Sequence, residues 1–176
     1  MKYAVLSLLF LCFLATGYTQ ASLTVKEQQA NAEKQAKILS DHLLKKEYKA
    51  FAAFTHPTVV KMMGGIDKMA AYMEQAVAGM KSEGFTFTKI SVSTPLKIIE
   101  EAKQLQCTIT QHIELTHAEG KLLQKSTLIG ISVDRGANWT YIDTHGESLQ
   151  KLQETMPELS NQLIIPKMEE PQVIED

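Results

Sequence analysis

The apolar residues of this chain change period near Gly84, and that change limits the fold more than any other feature. Before it, Val25, Ala32, Ala36, Leu39 and Leu43 recur at steps of three, four or seven. Such a stripe lies along one face of a helix. Thr24-Val25-Lys26-Glu27 has the Ser/Thr-x-x-Glu form of a capping box, which satisfies orphaned amides at a helix start. A second, shorter helix is predicted from Tyr48 to Phe54, presenting Phe51 and Phe54. It stops at His56-Pro57, because proline disfavours the α region in the residue before it. Gly64-Gly65 reads as a break. Ile66, Met69, Ala70, Met73, Val77 and Met80 then mark a third helix, with Gly84 placed to end it.

Beyond Gly84 the alternation is that of strands. Phe85 and Phe87 share one parity and Ile90 and Val92 the other, which predicts a β-bulge near Thr88-Lys89. A short segment at 96–100 leads to a strand from Leu105 to Thr116, a hairpin loop through Gly120 and a strand from Leu122 to Val133. A turn at Asp134-Arg135-Gly136 precedes a last strand, Ala137 to Asp143. Connections this short imply antiparallel hairpins. A short helix is expected at 148–155, ending before Pro157, and the segment from Ile165 is expected to fray. The class is therefore α+β. Ile109, Leu115, Met73 and Leu39 lie on the apolar stripes and are expected in the core.

The first 21 residues follow a different logic. Met1-Lys2 precedes an apolar run from Ala4 to Leu14 interrupted by Ser7, and Thr19-Gln20-Ala21 is a small-x-small site before Ser22. This is the pattern of a cleavable export signal. The run is about half the roughly 20 residues a bilayer-spanning helix needs, so a retained membrane anchor is the lesser reading. Leu11 and Phe10 before Cys12 do not fit a lipidation motif. The expected organisation is a signal peptide at 1–21, one domain at 22–157 and a C-terminal tail at 158–176. The mature protein is then periplasmic or secreted, with no stable membrane span.

With 18 Lys and Arg against 20 Asp and Glu, the chain lacks the basic excess that marks a nucleic-acid partner. Cys107 remains as the single cysteine after processing, so no internal disulfide is available.

The helix ending at Phe54-Thr55-His56-Pro57, the Gly64-Gly65-Ile66 break, the bulged strand from Phe85 and the strand Asn138-Trp139-Thr140-Tyr141-Ile142-Asp143 together carry a resemblance. Over about residues 24–145 the chain looks like an exported bacterial member of the NTF2-like (SnoaL, ketosteroid-isomerase-like) superfamily. The resemblance implies a bent sheet wrapped round a helix as a cone with an apolar cavity, often in a homodimer. A cystatin-like sheet around one long helix is the alternative fold. Catalysts and binders share the NTF2-like fold, so function has to be read from the site.

Two functions follow as expectations. One is a non-catalytic binder of a small lipophilic molecule, or a protein-interaction module. The other is a ketosteroid-isomerase or dehydratase-like enzyme acting through Asp143 or His56 in the cone. Asp143 shares parity with Trp139 and Tyr141, so it is either a base at a pocket mouth or an aspartate bonding its own turn. Gln111 falls on the apolar parity of Leu105, Cys107, Ile109, Ile113 and Leu115. It is either a ligand-binding amide or a satisfied core amide. His56 stands at a helix–loop junction, either near the cavity or bonding a free carbonyl at the helix end. His112 and Glu114 fall on the opposite, solvated face. His42, His56, His112, His117 and His145 form no helical ligand pair, so no metal is expected, and no cofactor is implied. Cys107 reads as a buried hydrophobe. Asn138-Trp139-Thr140 is a glycosylation sequon with meaning only in a eukaryotic secretory route. Nucleophile-elbow, Walker and Rossmann glycine patterns are absent from the sequence.

Overall fold

The first helix begins as its four-residue signature requires. Thr24 Oγ1 accepts from the Glu27 amide at 3.3 Å, and the Thr24 amide donates to Glu27 Oε2 at 2.8 Å. The computed structural model describes residues 23–174, so the predicted signal peptide lies outside the described residues. Helix α1 spans Val25–Leu44 and is followed by α2, Tyr48–Phe54, α3, Pro57–Met62, and α4, Ile66–Ser82. Strands β1, Thr86–Val92, β2, Ile99–Glu101, β3, Gln104–His117, β4, Gly120–Ser132, and β5, Thr140–Asp143, come next. Helix α5, Leu149–Gln153, and strand β6, Gln172–Ile174, complete the order.

Among the described residues all strands join one antiparallel sheet. Its main order is β1-β3-β4-β5, with β2 also on β3 and β6 also on β4. The class is α+β with a curled, open sheet. The bulge lies where the parity flip placed it, with the register shifting between Phe87 and Lys89. Across it Phe87 faces Leu115 while Ile90 faces Ile113, so the extra residue returns both to the core side. Gly84, at φ +93°, ends α4. The Phe85 amide reaches the Met80 carbonyl at 2.9 Å and the Gly84 amide reaches Lys81 at 3.1 Å. That pair of bonds is a Schellman ending, which glycine adopts without steric cost. Between β2 and β3, Ala102 and Lys103 hold φ of 49° and 68°. Turns of this kind favour Asn-Gly, so the sequence carries no clear signal for the hairpin.

The inner face of the sheet packs on α1 through Ala32, Ala36 and Leu39, against Val92, Cys107, Ile109, Leu128, Trp139 and Tyr141. Alanines at the contact let helix and sheet approach closely. Leu39, Ile109 and Leu115 are buried as expected.

Several expectations need correction. Val25 is exposed, since the stripe starts before the sheet edge reaches it. Met73 is only half-buried, because α4 packs mainly on α2 and its stripe is not covered along its whole length. A fourth N-terminal helix, α3, stands between the stop at His56-Pro57 and the Gly64-Gly65 break, where the sequence predicts none. Pro57 takes its first turn, where a missing amide costs nothing.

The outer face is not uniformly solvated either. Met156, Leu159 and Leu163 cover Ile99, Ile129, Ile131 and Ile142 there, with Leu149, Leu152 and Ile165 packed beside them. Residues read as a tail from 158 thus begin as part of a second core. The end expected to fray instead returns as β6 on β4.

Candidate functional site

Gln111, Trp139 and Tyr141 do come together inside the molecule, but each already has a protein partner. Gln111 is buried and donates through Nε2 to Ser40 Oγ at 3.2 Å, and Ser40 in turn donates to the Ala36 carbonyl at 3.0 Å. Tyr141 donates its hydroxyl to the Ala32 carbonyl at 2.6 Å, and burial pushes its ionisation upward. Trp139 Nε1 donates to the Gly136 carbonyl at 3.0 Å.

Local sequence explains this arrangement. Gln28, Asn31 and Gln35 lie three and four residues apart on one side of α1 and donate to the carbonyls of Arg135, Gly136 and Ala137. Gln35 Oε1 accepts from the Trp139 amide at 2.9 Å. Gly130 supplies the remaining space. A Cβ there would sit 3.0 Å from Cys107 Sγ and 3.3 Å from each aromatic ring.

Asp143 bonds its own turn. Its Oδ1 accepts from Ser126 Oγ and from the His145 amide, both at 2.8 Å. A carboxylate held by two donors at a chain reversal is doing structural work. Burial pushes the Cys107 thiol up to about 12, which leaves it protonated and unreactive at neutral pH.

His56 sits at a helix start. Its Nδ1 accepts from the Thr58 amide at 3.4 Å as the cap of α3, and its amide donates to the Tyr141 carbonyl at 2.9 Å. Partial burial holds its pKa below the ordinary imidazole value, and the negative charge of Glu158 partly offsets that. The unfolded chain therefore takes up the proton first. The contribution of His56 is complete above the unfolded value of about 6.5 and declines as pH falls toward the lower folded value. Urea unfolding between pH 7.5 and 5.5 is expected to show native stability falling more steeply than in His56→Asn, which keeps an acceptor at the cap. Equal slopes would mean that His56 does not titrate differently on folding.

On the outer face, between the second core and β6, lies an open groove of about 370 Å³. Its floor carries the hydroxyls of Ser93, Thr110, Thr127 and Thr144, and His112 and Lys125 stand at its side. The opposite wall is the chain from Pro166 to Glu169. Lys125 Nζ pairs with Glu169 Oε2 at 2.9 Å. His112 is exposed, while Glu114 is half-buried and accepts from Thr88 Oγ1 at 3.2 Å.

The alternation of threonines on this face was visible in the sequence. The wall was not, because it comes from a segment more than forty residues distant. Of the five candidates, Gln111, Trp139 and Tyr141 belong to the interior and His56 and Asp143 to chain reversals. None is among the groove residues. Among the described residues no three His, Cys, Asp or Glu side chains cluster to hold a metal, and no helix is long and apolar enough to cross a membrane. Comparison with protein-family models, with curated proteins and with solved structures finds no match.

Proposed function

We propose that this protein is an exported, non-catalytic binding domain of NTF2-like type that meets a protein partner on the outer face of its sheet. Engagement of the interior donors with protein partners carries this reading. Gln111, Trp139 and Tyr141, the groups best suited to greet a ligand inside a cone, spend their donors on Ser40, Gly136 and Ala32. A small lipophilic guest would have to displace packed side chains there, at a cost like that of overpacking a core. The groove at His112, in contrast, is open and polar. That character suits an interaction surface better than a lipophile, whose sites are mostly apolar. The enzyme reading lacks a free base, because Asp143 and His56 are each engaged in local backbone geometry. The NTF2-like assignment is supported by helices that precede a curled sheet whose first strand is bulged.

Site-specific photocrosslinking in the native host tests this. A benzophenone side chain at position 112 is expected to capture one discrete protein adduct, whereas the same group at Tyr72, exposed on α4, captures none. The recovered chain should begin near Ser22. The reading fails if position 112 yields no adduct while a lipophilic compound raises the melting temperature in a way that Gln111→Leu abolishes.

A further inference from the structure

Strand β4 pairs with β3 along its whole length on one edge, but its other edge is shared. β5 covers only Leu128 to Ile131. The far end is taken by β6, in the register Lys121 with Ile174, Leu122 with Val173 and Leu123 with Gln172. All three of its residues are exposed, Val173 at 65 %. One ion pair of this segment, Lys125 with Glu169, is more than half exposed at both side chains. Such a pair contributes about 0–1 kcal/mol. The last side chain of this segment fully buried in the second core is Leu163. Ile165 still packs beside that core, and from it an arm of residues 166–171, with Pro166 and Pro171 in it and no regular secondary structure, leads to β6.

A three-residue strand with exposed side chains opens at a free energy far below that of global unfolding. Opening bares a row of backbone donors and acceptors on β4, the kind of edge that recruits another strand. The sequence already matched to that edge, in register and in charge toward Lys125, is the chain's own C-terminal end. Six arm residues reach at most roughly 21 Å. The prolines hold their own φ fixed and favour an extended path, so the arm is suited to projecting outward as well as folding back.

We infer that the β4 edge at Lys121–Leu123 is a strand-exchange site for a second copy of this chain, each copy lending its Gln172–Ile174 strand to the other. The exchange is isologous and closes as a two-fold dimer. Each copy regains the ladder it gave up, so protein concentration drives the equilibrium.

The register supplies the test. Chains beginning at Ser22, which lack Cys12, and carrying Leu122→Cys or Val173→Cys are mixed, equilibrated and oxidised. These positions oppose each other across the ladder, at a separation close to what a disulfide requires. In the mixture a 122–173 disulfide can form only between two chains, and Cys107 is buried and does not compete. The mixed adduct is expected to exceed each same-variant adduct at least fivefold and to rise with protein concentration. Adding Gln172→Pro to the Val173→Cys chain should abolish that excess while the circular dichroism of the domain is unchanged. A statistical distribution of adducts, no mixed adduct at any soluble concentration, or an excess that survives Gln172→Pro would each overturn strand exchange. Failure of photocrosslinking at position 112 would leave this result untouched, since the two rest on different residues.

Discussion

Truncating Ile109 to alanine is expected to destabilise the protein by about 2–5 kcal/mol, as deletion of a buried aliphatic side chain does. Ile109 is fully buried at the centre of β3, flanked in register by Leu128 on β4 and packed beneath α1. Its surroundings cannot collapse easily. The alanines of α1 are already at close contact, and Trp139 and Tyr141 are tied by hydrogen bonds to Gly136 and Ala32. The cavity should therefore persist, which places the cost in the upper part of the range. Urea denaturation checks this through the midpoint, with the slope unchanged if only stability has moved. Met73→Ala, at a half-buried position on α4, should cost clearly less. Equal costs at the two positions would mean that α4 is covered by something beyond α2 and α3.

Replacing Gln106 by leucine, nearly conserving volume, is expected to cost about 2–4 kcal/mol. The reason is the two backbone groups that Gln106 satisfies. Its Nε2 donates to the Glu158 carbonyl and its Oε1 accepts from the Ser160 amide, both at 2.8 Å. Gln106 is completely buried and Ser160 nearly so, so water replaces neither partner freely. A buried group left without its bond costs roughly 1–3 kcal/mol. The effect should be local first. Hydrogen exchange is expected to accelerate at Leu159 to Leu163 before it does in β3 and β4, because those residues hold the second core over the sheet. Uniform acceleration across the sheet would place Gln106 in the main core instead.

Gln106 also marks where sequence reading stopped. Its parity puts it with Thr108, Thr110 and His112, on the face expected to be solvated. Nothing within β3 reveals that a segment fifty residues later folds over one end of that face. Gln111 presents the same difficulty in reverse. Its burial followed from strand alternation, but whether it awaited a ligand depended on Ser40, 71 residues away on α1. His56 stands at the expected helix–loop junction but as the cap of α3, whose 6 residues are too few to leave a stripe in the sequence.

What the sequence determined by itself was local. The capping box of α1, the Schellman ending at Gly84, the β1 bulge and the hairpin order of the long strands each rest on residues only a few positions apart. Short-range sterics and hydrogen bonding decide such features before any tertiary contact forms. What only the tertiary structure decided was which polar groups are already satisfied, which face of α4 lies bare and where the chain after Pro157 goes. Those outcomes depend on which distant segments arrive to supply partners and exclude water. Strand parity states which way a side chain points, and the packing around it states what it meets there.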